Sequence, residues 1–149
     1  KFKMLQTKIF DSENKPSEKE KQEIITFLFD NLEQYGDPKK DIEKCMDYSL
    51  KNFTSFGGFT IVLKSENTIK GASIINQTGM GGYIPENILV YIAINKNSRG
   101  EGLGKKLMKE IIAHTKGDIA LHVEANNPAK FLYEKLGFTN PYLEMRLKK

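Results

Sequence analysis

The stretch ILVYIAI (88–94), followed by NKNS (95–98) and RGEGLGK (99–105), decides the fold of this 149-residue chain. The first seven residues are almost all apolar, as in a strand that is covered on both faces. Apolar residues then recur at helical spacing from Leu103 to Ile112. A buried strand that passes through glycines directly into an amphipathic helix is typical of α/β architecture.

The glycines between this strand and this helix favour an anion site. Gly100, Gly102 and Gly104 let main-chain N–H groups approach a ligand with no Cβ in the way. The free N–H groups and the dipole of a helix N-terminus attract negative charge. Arg99 and Lys105 add positive charge on either side. We therefore predict a cradle for a phosphate or diphosphate; a glycine turn that only caps the helix is the alternative.

Two common phosphate-binding motifs do not fit this cradle. A P-loop has Gly, four residues, Gly-Lys and then Ser or Thr, whereas here Arg99 stands five residues before Gly104 and Lys106 stands where the hydroxyl belongs. The dinucleotide fingerprint Gly-x-Gly-x-x-Gly follows the first strand of its fold. The glycines here fall late in the chain and at a different spacing, so both motifs are excluded.

The rest of the chain predicts further helices and strands around this segment. Apolar residues at helical spacing predict helices over 17–36, 37–50, 103–117 and 128–136. Strand-type patterns fall at 1–10, 59–63, 69–75, 88–94, 119–123 and 142–147. The second and third of these strands form a hairpin through a turn at 65–68. We expect one α/β (α+β) domain over residues 1–149.

Composition excludes several classes of protein. Only two of the 23 basic residues are arginine, and the lysines are spread along the chain, so the net charge of +4 predicts no nucleic-acid surface. No apolar run approaches the length of about 20 residues that crosses a membrane. The single cysteine, Cys45, predicts neither a disulfide nor a metal site, and we expect it to pack in a helix. The first ten residues do not resemble a secretory signal, so we expect a cytoplasmic protein.

Two motifs together resemble the Gcn5-related N-acetyltransferase (GNAT) family. Arg99, Gly102 and Gly104 match the family's acetyl-CoA signature Arg/Gln-x-x-Gly-x-Gly/Ala, and NNPAKFLYEKLGF (126–138) matches its Asn-x-x-Ala…Leu-Tyr-x-x-Leu-Gly-Phe segment. The resemblance implies a mixed, mostly antiparallel central sheet with a splayed pair of parallel strands, flanked by about four helices. It also implies acetyl-CoA as co-substrate, with no metal.

The resemblance also assigns residues to the parts of acetyl-CoA. The pantetheine would lie along Ile92, Ala93 and Ile94, paired with main-chain groups of Ile92 and Ile94. The pyrophosphate would be held beside Arg99 by the loop and helix start, comprising Gly100, Glu101, Gly102, Leu103, Gly104 and Lys105.

One departure from the family pattern concerns the pantetheine arm. The family's asparagine, matched here by Asn126, would hydrogen-bond that arm. The interval between Val123 and Asn126 is one residue shorter than in most members, so Asn127 is an alternative. Both residues also suit the N-terminus of the helix that Pro128 begins.

For catalysis, the resemblance places Tyr133 near the thioester sulfur as the acid that protonates the leaving thiolate. His122 and Glu124 alternate along a strand beside the cleft, and either would accept the proton of the attacking amine. Glu86 is a further carboxylate, more simply explained as a polar residue at a strand end. The acceptor amine is unspecified, and a homodimer is left open. A non-catalytic acyl-CoA-binding sensor or interaction domain is the alternative function.

Overall fold

The computed structural model describes residues 4–149, so the first three residues of the predicted strand at 1–10 lie outside the described part. In chain order the elements are β1 (Leu5–Phe10), α1 (Glu18–Leu32), α2 (Lys39–Ser49), β2 (Gly58–Ser65), β3 (Thr68–Gln77), β4 (Asn87–Ile94), α3 (Leu103–His114), β5 (Ile119–Leu121) and α4 (Ala129–Lys135). Short 3₁₀ turns follow α1 at Glu33–Tyr35 and β4 at Lys96–Ser98.

The five strands form one sheet in the order β1-β2-β3-β4-β5. Neighbouring strands are antiparallel except β4 and β5, which are parallel. The β2–β3 hairpin turns at Glu66 and Asn67, whose φ angles of 52° and 67° are those of a tight two-residue turn. The predicted fold class is confirmed: a mixed, mostly antiparallel sheet with one parallel pair and four α-helices.

Two apolar cores lie on opposite faces of the sheet. The core under α1 and α2 includes Ile24, Leu28, Ile42, Met46, Val62 and Ile74. The core under α3 and α4 includes Ile61, Leu63, Ile75, Leu107, Met108 and Ile111. Because each helix buries only one apolar stripe, the helical spacing seen in the sequence follows from this layering. No helix within residues 4–149 is long and apolar enough to span a bilayer.

Helix α1 begins with a capping box and ends at a residue with a positive φ angle. At its start, the Ser17 hydroxyl accepts the Glu20 N–H at 3.1 Å and the Glu20 carboxylate accepts the Ser17 N–H at 2.9 Å, a capping box that the sequence contains. At its end, Glu33 takes a positive φ of 55°, which stops the helix. The end of α1 then lies beside the loop that follows β4.

The predicted last strand, 142–147, is wrong. Residues 139–149 form no regular structure and every one of them is exposed. Tyr142, Leu143, Met145 and Leu147 keep between 83% and 91% of their surface in solvent. Alternating side chains favour a strand, but a strand also needs a neighbour to pair with, and this segment pairs with none of the described strands.

Candidate active site

The parallel strands β4 and β5 separate after three paired residues. The pairs are Asn87 with Ile119, Ile88 with Ala120 and Leu89 with Leu121. β5 ends at Leu121, whereas β4 continues to Ile94 along β3. The far half of β4 therefore has a neighbour on one side and a gap on the other, which is the splayed pair that the resemblance implied.

A β-bulge at Val90 marks the point of separation. Leu89 lies opposite Ile75 and Tyr91 lies opposite Ile74, so Val90 has no counterpart on β3. A bulge bends its strand and increases the local twist. The sequence does not predict the bulge, because an unbroken apolar run contains no signal for an extra residue.

The bulge reverses which main-chain groups of β4 face β5. Before it, the Asn87 N–H donates to Asp118 O on the β5 side at 3.1 Å; after it, the Asn95 N–H donates to Lys70 O on the β3 side at 2.8 Å. Successive residues of a strand direct their N–H and C=O groups to opposite sides. Ile92 and Ile94 therefore direct theirs into the gap, where β5 no longer follows. An extended amide-bearing ligand would find donors and acceptors there.

The side chains of this half of β4 alternate between the two cores. Ile92 and Ile94 pack on the α3 side of the sheet, and Ala93 is buried on the α1 side. Next to Ala93, the Tyr91 hydroxyl donates to the Asp37 carboxylate at 2.5 Å. Burial, followed by the hydrogen bond to Asp37, raises the pKa of Tyr91 far above its ordinary value.

The loop before α3 has the geometry of an anion cradle. Gly100 and Gly102 have φ angles of 84° and 82°, which other residues rarely adopt, and a Cβ built on either would meet no atom within 4 Å. The first bond inside α3 runs from the Lys106 N–H to Gly102 O at 3.1 Å. No side chain caps this end. The N–H groups at the start of α3 thus point out of the helix into open space, past the exposed side chains of Glu101 and Lys105.

Gly104 has a different structural role from its two neighbours. A Cβ there would lie 3.3 Å from Leu132 Cδ2 and 3.9 Å from Ile94 Cγ1. The missing side chain therefore lets α3 lie close to α4 and β4. The first turn of α3, including Leu103, is fixed in place by this packing.

Arg99 is engaged with α1. Its guanidinium donates to Asn31 O at 2.8 Å and to the Glu33 carboxylate at 3.1 Å. The buried Asn31 side chain accepts the Lys96 N–H at 2.9 Å and donates to Phe27 O at 2.8 Å. The cradle loop is thus tied to the end of α1 at two points. Asn31 was missed, because its position in the sequence is that of an ordinary polar residue in an amphipathic helix.

The two asparagines before α4 have separate positions. The Asn127 carboxamide oxygen accepts the Ala129 N–H at 2.9 Å, a bond to the residue two positions on that forms a turn into the helix. The Asn127 N–H also donates to Glu124 O at 2.9 Å. Asn126 is exposed, and none of the hydrogen bonds found in residues 4–149 involves its side chain. Of the two, Asn126 is the one whose side chain is available to a ligand.

Tyr133 lies in the second turn of α4 and is only 8% exposed. Its ring packs in the α3–α4 core, 5.9 Å from the ring of Phe138. Burial raises the pKa of the hydroxyl above its ordinary value. The phenol therefore keeps its proton throughout the neutral range, where it can give up a proton but cannot act as a base.

The three candidate bases differ in environment. His122 and Glu124 follow β5 and are exposed, whereas Leu121 before them and Val123 between them are half-buried at the border of the core, which matches the predicted alternation. Glu86 accepts the Asp118 N–H at 2.8 Å, and this hydrogen bond lowers the pKa of its carboxyl. Glu86 thus joins the starts of β4 and β5, in agreement with its interpretation as a polar residue at a strand end.

Cys45 is in helix α2 and packs against the core under α1 and α2, on the face of the sheet opposite α3 and α4. Asn76 Nδ2 approaches its sulfur at 3.4 Å, and burial raises the pKa of the thiol to about 12. A thiol in that state is a poor nucleophile, in line with a packing role. No three His, Cys, Asp or Glu side chains within residues 4–149 gather as a metal ion would require.

Comparisons with known proteins agree with this geometry. The family profile described as acetyltransferase (GNAT) domain matches residues 57–140. The 5-NmdU N-acetyltransferase of Pseudomonas phage PaMx11 is 34% identical over 84 residues, which are 55% of this chain and 58% of the relative. The chain thus spans less than two thirds of that relative's length.

Solved structures show the same fold at low identity. A GNAT family acetyltransferase of Staphylococcus aureus has a TM-score of 0.66 at 20% identity, with 97% of this chain and 98% of the other covered. The ribosomal-protein-S18-alanine N-acetyltransferase of Escherichia coli has a TM-score of 0.67 at 16% identity, with 92% and 80% covered.

Proposed function

The chain belongs to the GNAT acetyltransferase family, and from this we propose that residues 1–149 form one N-acetyltransferase domain. The reaction we propose moves an acetyl group from acetyl-CoA to a primary amine, by direct attack of the amine on the thioester while both substrates are bound. Acetyl-CoA is the co-substrate, and the reaction as proposed uses no metal.

The observation that carries this proposal is the open edge of β4. Ile92 and Ile94 present main-chain N–H and C=O groups to the gap beyond Leu121. Pantetheine is a chain with two amide groups, and it can take the place of a strand against such an edge. Side-chain identity matters little for this pairing, since only main-chain groups take part.

The cradle suits the other end of acetyl-CoA. The N–H groups at the start of α3 and the open space above Gly100 and Gly102 fit the pyrophosphate. Lys105 would add positive charge from the solvent side. Asn126 would hydrogen-bond the pantetheine arm, since Asn127 is already bonded to Ala129.

The proposed chemistry needs two proton transfers. As the nitrogen forms a bond to the carbonyl carbon and the C–S bond breaks, the Tyr133 hydroxyl gives its proton to the departing sulfur. The proton of the attacking amine goes to His122 or Glu124, directly or through water. Both side chains are exposed and lie just beyond β5, on the border of the gap.

The acceptor is proposed only as a primary amine. The phage relative is named for its action on 5-NmdU, so that compound belongs in an acceptor panel together with polyamines, aminoglycosides, amino acids and peptides with a free N-terminus. Titration calorimetry with acetyl-CoA and CoA tests binding, and thiol release across the panel tests transfer. If neither acetyl-CoA nor CoA gives a heat of binding at millimolar concentration, the proposal is wrong.

The rival function is an acyl-CoA sensor that binds without transfer. It predicts heat on titration and no thiol release with any amine of the panel. Tyr133, whose ring packs in the same core as Ile92 and Ile94, favours the enzyme, since the proposed transfer uses its hydroxyl as a proton donor and a sensor requires none.

A further inference from the structure

The loop between α1 and α2 holds a carboxylate beside β4. Asp37 is exposed, and the Tyr91 hydroxyl donates to its Oδ2 atom at 2.5 Å. Within residues 4–149, this is the one hydrogen bond of the Asp37 side chain, and no lysine or arginine pairs with it. The Oδ1 atom of Asp37 is therefore available to a ligand that carries a positive charge.

Tyr91 fixes this carboxylate next to the gap. It is the first residue of β4 after the bulge at Val90, where β5 no longer pairs with the strand. Its ring is buried in the core under α1 and α2, so its hydroxyl holds Asp37 above the same part of β4. The main-chain groups of Ile92, the next residue, point into the gap. Asp37 thus lies one tyrosine side chain away from the strand edge that is proposed to bind pantetheine.

The surroundings of the Tyr91 hydroxyl are negatively charged. Burial raises the pKa of Tyr91, and the hydrogen bond and charge of Asp37, followed by the charge of Asp41, raise it further. Asp41 is exposed in the first turn of α2. The nearby Lys39 is directed towards α1, where its Nζ donates to Thr26 Oγ1 at 3.3 Å. A cationic ligand would therefore meet two carboxylates here.

A second acceptor on this face of the sheet lacks a donor. Asn76 lies on β3 opposite Ile88, and its Nδ2 donates to Cys45 O in α2 at 3.3 Å. The Oδ1 atom of Asn76 is buried and has no hydrogen-bond partner in the described part of the chain. A buried acceptor costs free energy until a donor is supplied. An ammonium group has three donors and no acceptor, so it suits a face with unpaired acceptors.

We propose that Asp37 binds a second cationic group of the acceptor, so that the preferred acceptors are diamines. This inference rests on the proposed N-acetyltransferase function and specifies its substrate class. The amine that attacks the thioester must be neutral, whereas a carboxylate beside an amine keeps it protonated. A carboxylate that is a side-chain length away from the strand can hold one amino group and leave the other free to lose its proton and react.

Acceptors of matched shape test the preference for a second positive charge. In pentylamine a methyl group replaces the second amino group of 1,4-diaminobutane, and in 5-aminopentanoate a carboxylate replaces it. Thiol release should give a kcat/KM for 1,4-diaminobutane that is about tenfold or more above that for pentylamine, with 5-aminopentanoate the poorest acceptor. A kcat/KM for either of the other two that equals that for 1,4-diaminobutane would overturn the inference.

Substitutions at Asp37 and Tyr91 test which residues carry the preference. Asp37→Asn should raise the KM for 1,4-diaminobutane about tenfold and leave the KM for pentylamine unchanged. Tyr91→Phe keeps the ring and removes the hydroxyl that holds the carboxylate, so it should raise the same KM by a smaller factor. Asp37→Lys should reverse the preference and favour 5-aminopentanoate. Glu13→Gln removes an exposed carboxylate beside β1, at the opposite edge of the sheet, and should behave as wild type.

Titration calorimetry measures recognition of the diamine without transfer. On the protein saturated with CoA, Asp37→Asn should bind 1,4-diaminobutane about tenfold more weakly than wild type does. If Asp37→Asn keeps the wild-type Kd and KM, the inference is wrong and the transferase function stands. If acetyl-CoA binds but no amine of the acceptor panel releases thiol, the proposed transfer is wrong and the inference fails with it.

Discussion

The Arg99 guanidinium donates a hydrogen bond to Asn31 O, 2.8 Å away, and so joins the cradle loop to the end of α1. From its position beside the glycines, Arg99 is predicted to act in the cradle as a positive charge. The observed bond points to a second task, because a guanidinium that is held by α1 fixes the loop whose N–H groups are proposed to bind the pyrophosphate.

Arg99→Lys distinguishes these two tasks. If Arg99 acts by tethering, lysine keeps the charge but lacks the guanidinium Nη2 that donates to Asn31 O, and the Kd for CoA should rise by about tenfold. Titration calorimetry measures this change. Glu33→Gln is the control: it removes an exposed ion pair worth at most about 1 kcal/mol and leaves the bond to Asn31, so CoA affinity should hold. Wild-type affinity in Arg99→Lys would show that charge alone matters.

Gly102→Val should weaken CoA binding by about tenfold or more. The substitution forces a β-branched residue into a φ of 82° and places a side chain in the open space above the cradle. Gly82→Val is the matched control, since Gly82 has a φ of 79° and equally open surroundings but lies in the β3–β4 loop. Both variants should lose similar stability in thermal unfolding. Equal CoA affinity in the two would reduce Gly102 to a turn residue.

Tyr133→Phe should lower turnover by about a hundredfold or more and leave the Kd for acetyl-CoA nearly unchanged. Phenylalanine keeps the packing against Phe138 and removes only the proton that the raised pKa retains. Steady-state rates of thiol release on an accepted amine measure the loss. Tyr83→Phe, at an exposed tyrosine, should turn over as wild type. A Tyr133→Phe rate within about threefold of wild type would contradict the acid role.

Alanine substitutions at Asn126 and Asn127 should affect different properties, CoA binding in the first case and stability in the second. Asn126→Ala should weaken CoA binding and leave stability unchanged, because its side chain makes no bond within the described fold. Asn127→Ala removes the bond to the Ala129 N–H and should cost about 1 kcal/mol of unfolding free energy. Calorimetry and denaturant unfolding of both variants give the comparison. If only Asn127→Ala weakens CoA binding, Asn127 rather than Asn126 contacts the ligand.

Cys45 should be unreactive in the folded protein. A thiol pKa of about 12, against an ordinary 9.0, lowers the thiolate fraction at neutral pH on the order of a thousandfold. A disulfide reagent should therefore react slowly with the native chain and at once after unfolding, and the native rate should keep rising with pH. The thiol-release assay then carries no background from the protein. A rapid burst of one thiol per folded chain would contradict the buried environment.

Local patterns predicted most of the fold. The helical spacing through Leu107 and Ile111 and the β2–β3 hairpin are set by neighbours in the sequence, and both are confirmed. The strand predicted at 142–147 is wrong, because its formation depends on a contact with a distant part of the structure. Its alternation is local, but pairing depends on an edge supplied from elsewhere.

The candidate site was predictable only in part. The positions of Gly100 and Gly102 follow from the turn that glycine alone makes easily, and Tyr133 from its spacing after Asn126. The partner of Arg99 lies 68 residues earlier in the chain, and no pattern links the two. The bulge at Val90 was equally hidden, since only the register with β3 reveals the extra residue.

The unpaired residue Val90 divides β4 into a half that pairs with β5 and a half that does not. From Asn87 to Leu89 the strand pairs with β5. Beyond Val90, the groups of Ile92 and Ile94 that face the gap bond to no strand of the sheet. A ligand that docks there breaks no hydrogen bond of the sheet on arrival and leaves none to be rebuilt on departure. Binding and release of such a ligand would therefore leave the hydrogen bonds between the strands intact.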